Sequence, residues 1–406
     1  MVQLLPPSAT AETRLLLAAR GLRATSDGFV SIILPAYLLL LGFDALHVGV
    51  LATATLLGSA SLTLAVGLTG VRRHTRALLI AASLLTVLTG LGFAALDDFW
   101  PLLVIAFIGT LNPSSGDVSV FLPLEHALLA GGVAGHDRTA LFARYSLVGS
   151  LLGAAGTLLA ALPELAASWG VAPLAAFKGM FLLYALVGLI TALIYRQLGR
   201  AEVIDGSPPP SALGPSRRVV YQLAALFSLD AFAGGLVVQS LLALWLFQAF
   251  GLSLAVTAQL FFWSGLLTAV SYLAAAPLAR RIGLINTMVF THLPANLCLV
   301  AVPFAPELWQ AIALLLLRSL LSQMDVPTRT SYVMAVVTPA ERQAAASLTA
   351  VPRSLASALG PSLAGWMLGA ATFAWPLLLA GALKIVYDLA LLARFRHIRP
   401  PEEQRR

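Results

Sequence analysis

Cysteine occurs once in 406 residues, at Cys298, lysine only twice, at Lys178 and Lys384, and charged residues of every kind make up 11% of the chain. A single cysteine in an apolar run excludes an internal disulfide and any cysteine-based metal cluster. Neither lysine follows a glycine, so a G-x-x-x-x-G-K-[ST] phosphate loop cannot be formed and a primary pump is excluded. The six histidines, 47, 74, 126, 136, 292 and 397, show no metal-ligand spacing; most read as solvated side chains, and neither metal nor cofactor is expected. A soluble domain carries about 25% charged residues, far more than this chain. The net charge of +7 comes from arginines spread over many short segments, which is how a membrane protein sets its orientation and not how it grips nucleic acid. The start, MVQLLPPSATAETR, lacks a short apolar core ending in a small-residue cleavage site, so no cleaved signal peptide is expected.

What remains is apolar. Hydrophobic residues account for 59% of the chain and mean hydropathy is +0.89. A helix crossing the hydrocarbon layer needs about 20 mostly apolar residues, and runs of that kind fall near 16–41, 46–69, 77–96, 100–129, 139–162 and 173–196, then near 219–249, 254–279, 284–303, 308–337, 343–369 and 373–394. Between the two sets, residues 199–218 hold four prolines, three glycines and charges of both signs, a linker composition. The expected fold is all-α and integral to the membrane, with twelve transmembrane helices in two pseudo-symmetric six-helix bundles, 1–198 and 219–406, joined by that linker.

The halves resemble one another. DRTALFARYSLVGSLLGAAGTLLA, from Asp137 to Ala160, aligns without a gap 204 positions later with ERQAAASLTAVPRSLASALGPSLA, from Glu341 to Ala364. The informative matches are Arg138/Arg342, Ser150/Ser354 and Gly156/Gly360; Asp27 in TSDGF has a partner in Asp230 of SLDAF, and Asp117 one in Asp325. Such a repeat indicates two parallel units related by an axis along the membrane normal. Twelve spans place Arg72, Arg73, Arg76, Arg138, Arg280, Arg281, Arg342, the linker arginines and the tail arginines on one side, while the opposite loops hold Asp44, Asp97, Asp98, Glu164 and Glu307 and no basic residue. Under the positive-inside rule both termini and the linker are expected to be cytoplasmic. Trp100, Trp169, Trp309 and Trp375, near the other ends of the spans, read as an interfacial belt.

With its 6+6 layout, the basic loops GLTGVRRHTR and APLARRIGLIN after the second and eighth spans, and GPSLAG at 360–365, the chain resembles the bacterial-type members of the major facilitator superfamily over essentially its whole length. The acid that the superfamily carries in the first of those loops is missing in both copies. The Gly-Pro antiporter motif it carries in span five stands here in span eleven. The resemblance implies a non-enzymatic secondary transporter of the cell (inner) membrane, a monomer in the lipid bilayer, which moves a small-molecule substrate by alternating access. It further implies Arg72, Arg73, Arg76, Arg138, Arg280, Arg281 and Arg342 as cytoplasmic gating loops, and peripheral supporting roles for Lys178 and Lys384. Proton-coupled efflux by antiport is the expectation, with proton-coupled uptake as the alternative and a non-transporting sensor as a remoter one. An intramembrane aspartyl protease is more remote still: Tyr387-Asp388 and Gly116-Asp117 look like its motifs only superficially and in reversed order.

Acids inside spans are costly, about 2.5–3.5 kcal/mol for an Asp at a helix centre, and are functional candidates. Five Asp stand out: Asp27, Asp117, Asp230, Asp325 and Asp388. Arg23 and Asp27, Asp325 and Arg329, and Lys384 and Asp388 all have the i,i+4 spacing of helix ion pairs. Asp117 follows Pro113 in a segment of small polar residues that reads as a broken helix beside a cavity. Asp230 has no cation in its own span, so it is expected to be protonated or paired across helices, and is the leading candidate for proton coupling. Arg144, Arg318 and Arg353 are expected to pair with these acids or attract an anionic substrate, with snorkelling to the cytoplasmic face as the alternative for Arg144 and Arg353. Asp27, Asp117, Asp230 and Asp325 are expected at the interface of the two halves.

Overall fold

The computed structural model describes residues 10–68, 75–114, 119–131, 138–199, 214–338, 341–371 and 373–398. Their regular structure is helical. In the first half lie α1 (Ala11–Leu40), α2 (Ala45–Leu68), α3 (Thr75–Ala95), α4 (Phe99–Ile108), α5 (Phe121–Gly131), α6 (Arg138–Leu158), α7 (Leu162–Ser168) and α8 (Pro173–Arg196). In the second lie α9 (Arg217–Gly235), α10 (Gln239–Phe250), α11 (Leu254–Ile282), α12 (Leu284–Ala301), α13 (Leu308–Leu321), α14 (Asp325–Val336), α15 (Arg342–Ala370) and α16 (Trp375–Phe395).

By length and composition, 9 helical segments among the described residues can cross a membrane. The other expected spans correspond to α1, diluted by Arg14, Arg20, Arg23 and Asp27, to the interrupted α4 and α5, and to α15, rich in Ala, Ser and Pro. Three expected spans are broken. Asn112 turns the chain after α4, its side-chain oxygen accepting the backbone N–H of Ser114 at 3.1 Å, just before the Pro113 bend can rejoin a helix. Pro327 sits in the first turn of α14; it has no N–H to donate and its ring clashes with the carbonyl four residues back, which is why α13 stops at Leu321. The span over 219–249 breaks after Gly234 and Gly235, both poor helix formers.

The chain divides into two compact units, Met1–Asp205 with Leu242–Phe262, and Gly206–Leu241 with Trp263–Arg406. The assignment of Leu242–Phe262 to the first unit differs from a simple cut at the linker. Two contacts account for it: Glu164 accepts the backbone N–H groups of Leu254 (2.5 Å) and Ala255 (3.1 Å), capping α11, and the Thr157 hydroxyl donates to the Ala258 carbonyl at 3.1 Å.

The same helix pairs form in each unit. In the first, α1 packs on α6 and α3 on α8; in the second, α9 packs on α15 and α12 on α16. Glycine makes the first of these pairings close. A methyl group on Gly156 would stand 2.2 Å from the Thr25 carbonyl oxygen on α1, and one on Gly360 would stand 2.4 Å from the Gly235 carbonyl carbon on α9. The cores repeat as well: Leu16, Ala19 and Leu141 are buried in the first, and Val220, Leu223 and Ala345, each 204 positions on, in the second. Leu84, Leu88 and Leu91 of α3 and Leu182, Leu186, Leu189 and Leu193 of α8 stay exposed at helical spacing, stripes that meet hydrocarbon in a bilayer.

Hydrogen bonds between helix ends fix the antiparallel order of the first unit. Glu12 at the start of α1 accepts the Gly199 N–H beyond α8 (2.8 Å), and Arg76 at the start of α3 donates to the Arg196 carbonyl at the end of α8 (2.5 Å). At the opposite end Lys178 reaches Asp97, 2.8 Å away, so a lysine stands beside the acidic loops, at the end where no basic residue is expected. Trp100, Trp169, Trp309 and Trp375 are all exposed, in keeping with an interfacial belt.

Candidate functional site

Each unit buries a charged cluster. In the first it centres on Glu125, on α5, which is fully buried. Arg23 of α1 forms an ion pair with it, Tyr145 of α6 donates its hydroxyl to the same carboxylate oxygen, and Tyr195 of α8 donates to the other at 2.7 Å. The Arg23 guanidinium also lies 4.0 Å above the Phe121 ring. Arg23 therefore meets Glu125 and not Asp27, although Asp27 is one turn away on α1. Burial explains the choice, since a carboxylate with no access to water needs a full set of donors and Asp27 is only half buried. Asp27 accepts from the Asn112 amide at 3.3 Å and borders a polar cavity of about 10 Å³ with Thr86, Thr110 and Tyr184. Such a space holds about one water. The count of acids in spans leaves out Glu125, although it falls inside 100–129; an acid in the apolar run FLPLEHALL was the available signal.

The cluster in the second unit centres on Asp230, on α9, which is 5% exposed. Lys384 of α16 donates to its Oδ1 at 2.5 Å and Arg329 of α14 to its Oδ2 at 3.1 Å. Arg329 holds Asp325 at 3.0 Å as well, the i,i+4 pair, and stacks 5.3 Å above Phe227. Asp230 thus has two cations from two other helices. Lys384 does not pair with Asp388 on its own helix. Asp388, 0% exposed, lies 2.9 Å from His292 Nδ1 and accepts the Asn296 amide at 2.8 Å, both on α12. Lys384, Asp388, Asp230 and His292 thus stand in one buried network. His292, 4% exposed, is not one of the solvated histidines. Its ring turns inward because α12 packs against α16, a pairing that no spacing within one helix reveals.

Arg144 is half buried on α6, Arg318 half buried on α13 and Arg353 exposed on α15. The Nε of Arg318 is buried without a hydrogen-bond partner among the described residues. Asp117, Arg72, Arg73 and most of the linker lie outside the described residues, as does the side chain of Arg138. Arg280 and Arg281 end α11 and are exposed, and Arg342 donates its Nε to the Met334 carbonyl at 3.2 Å. Outside the spans, Glu341 accepts the hydroxyls of Ser216 (2.7 Å) and Thr338 (2.7 Å) and the Gly214 N–H (2.5 Å), tying the start of α9 to that of α15. The Ser216 and Thr338 hydroxyls, with the backbone N–H groups, hold its carboxyl down at about 2. Asp44 is lowered too, by the backbone N–H and ring of His47.

The sequence model of the Major Facilitator Superfamily matches residues 16–321 and 223–406. The chain belongs to the Major Facilitator Superfamily. Among relatives, the uncharacterized membrane protein YJR124C of Saccharomyces cerevisiae is 24% identical over 424 residues, 95% of this chain and 94% of its own. Among solved structures, the nucleoside transporter NupG superposes with a TM-score of 0.73 at 14% identity, covering 95% of this chain and 100% of that one. A bacterial homologue of the iron transporter ferroportin, in its inward-facing state, gives 0.70 at 17% identity over 94% and 98%. At these identities the likeness is one of fold. This superfamily member is an integral, multi-pass membrane protein of a transporter family, built on the major facilitator fold.

Proposed function

We propose that this chain is a proton-coupled secondary transporter that exports a small solute by antiport, with alternating access between two states. The observation that supports this most is Asp230, a buried carboxylate in a span held by Lys384 and Arg329 from two other helices. Such a link is bistable: proton uptake by the carboxylate frees Lys384 and leaves Arg329 to Asp325 alone, and loss of the proton restores both contacts, which is the local change a rocking cycle needs. Export is favoured by GPSLAG in α15, whose Gly360 lies against Gly235 of α9. Arg318, with its unpartnered buried Nε, and Arg353, exposed and with no ion pair among the described residues, favour a solute carrying negative charge.

The test is accumulation into proteoliposomes under imposed pH gradients, with a dicarboxylate, a nucleoside, a hexose and a quaternary amine as labelled probes. An acid lumen drives accumulation by antiport, whereas an acid exterior drives it by symport. Antiport is expected. Accumulation only with an acid exterior would reverse the direction to proton-coupled uptake, and indifference to both gradients would end the proton-coupling reading.

A further inference from the structure

Beside the Asp230 link stands a second titratable group, His292. His292 touches two carboxylates. Its Nδ1 is 2.9 Å from Asp388 Oδ1, and its Nε2 is 3.9 Å from Asp230 Oδ1. Asn296, one turn along α12, donates to the remaining oxygen of Asp388. With Asp388 ionised, its carboxylate can only accept and takes the Nδ1 proton, the Asn296 amide standing 3.2 Å from the same nitrogen; in that tautomer the bare Nε2 lone pair faces the Asp230 carboxylate. That contact is repulsive until one proton is added. The added proton, given up by a hydronium ion that reverts to water, sits on Nε2 and turns the contact into an imidazolium facing a carboxylate.

We propose that His292, positioned by Asp388 and Asn296, is the proton-binding site of the second unit, and that its protonated Nε2 competes with Lys384 for Asp230 Oδ1. Both His292 and Lys384 address the same oxygen, at 3.9 Å and 2.5 Å. A ring rotation of about an ångström at its edge would bring Nε2–H into hydrogen-bond range, loosening Lys384 of α16 from α9. The proton would thereby reach the Asp230 link without Asp230 itself leaving its charged state. The proposal rests on the coupling reading above and moves the proton's seat from the carboxylate to the ring.

The surroundings suit a group that changes charge. From α9 comes Asp230, from α14 Asp325 and Arg329, from α16 Lys384, Asp388 and the Tyr387 ring, whose centroid is 6.0 Å from that of His292. From α13 comes Arg318, within the electrostatic reach of Asp230 and of Cys298 on α12, and from α15 Arg353, within reach of Arg329, Asp230 and Asp325. The cations oppose a further proton. The two carboxylates, 2.9 Å and 3.9 Å from the ring nitrogens, favour it.

Imidazole nitrogen NMR on histidine-labelled protein in lipid nanodiscs reads the site without any solute. The signal absent from His292→Gln assigns the residue, and in the wild type it is expected to titrate within the pH range that drives transport. Asp388→Asn, which removes the positioning carboxylate, should weaken its proton affinity at least tenfold. Lys384→Met, which removes the competitor, should strengthen it. A His292 signal that does not titrate, or one that titrates identically in the wild type and both variants, overturns the proposal; should Asp388→Asn fail to fold, the wild-type titration and Lys384→Met still decide. Titration of His292 in a protein indifferent to pH gradients would sink proton-coupled transport and leave this site standing. Gradient-driven transport with a silent His292 would do the reverse.

Discussion

At the residue scale, buried charge decides the partners. Glu125 binds Arg23 and two tyrosine hydroxyls in a site closed to water, so it cannot be neutralised without leaving Arg23 stranded. Removing one member of a buried pair typically costs about 3–5 kcal/mol. Glu125→Gln is expected to lower the melting temperature and the yield of monodisperse protein, and Arg23→Met added to it should restore part of the loss. A double-mutant cycle in thermal unfolding reads the coupling, and additive losses would show that the pair is not the stabilising unit. Glu341 behaves differently because it lies outside the spans. A carboxyl that titrates at about 2 in the folded protein and near 4.5 when unperturbed contributes its stability in full above about pH 4.5, and that contribution fades as the pH falls towards 2. Wild type should therefore lose more melting temperature than Glu341→Gln between those values, and parallel acid limbs would refute the link to Ser216 and Thr338.

At the element scale, the packing of α1 on α6 and of α9 on α15 depends on positions without a side chain. A methyl at Gly360 meets backbone 2.4 Å away, whereas one at Gly179 on α8 meets nothing within 4 Å. Gly360→Ala is expected to cost about 1–3 kcal/mol by forcing α9 and α15 apart. Gly179→Ala should gain up to about 1 kcal/mol through helix propensity. Opposite shifts in melting temperature are the expected result; equal ones would mean that the α9 and α15 backbones do not touch. The broken spans belong to this scale too. The break at Pro113 was legible because proline's missing N–H acts locally, while the break after Gly235 was not, because it coincides with a close approach to Ser357 on another helix.

For the whole molecule, the decisive measurement is Asp230→Asn in the gradient assay. The amide keeps one acceptor for Lys384 but no charge, so Lys384 loses its counter-ion while Arg329 keeps Asp325. Gradient-driven accumulation is expected to fall at least tenfold, with exchange between equally loaded compartments preserved. Uphill transport with wild-type pH dependence in this variant would remove Asp230 from the coupling path.

The sequence by itself determined most of the helices, the repeat and the family. Hydropathy sums over neighbours along one chain, and a 204-residue offset survives in Arg138/Arg342, Gly156/Gly360 and the buried cores around Leu16 and Val220. It also named most of the charged participants, Asp230, Asp325 and Arg329 among them. Only the tertiary structure decided who pairs with whom. In-helix spacing offers Asp27 and Asp388 a cation one turn away, yet Arg23 turns to Glu125, Lys384 to Asp230, and Asp388 to His292 and Asn296. The physical reason is desolvation: a carboxylate shut away from water requires several donors at once, one helix face supplies at most one or two, and the remainder must come from helices far away in sequence.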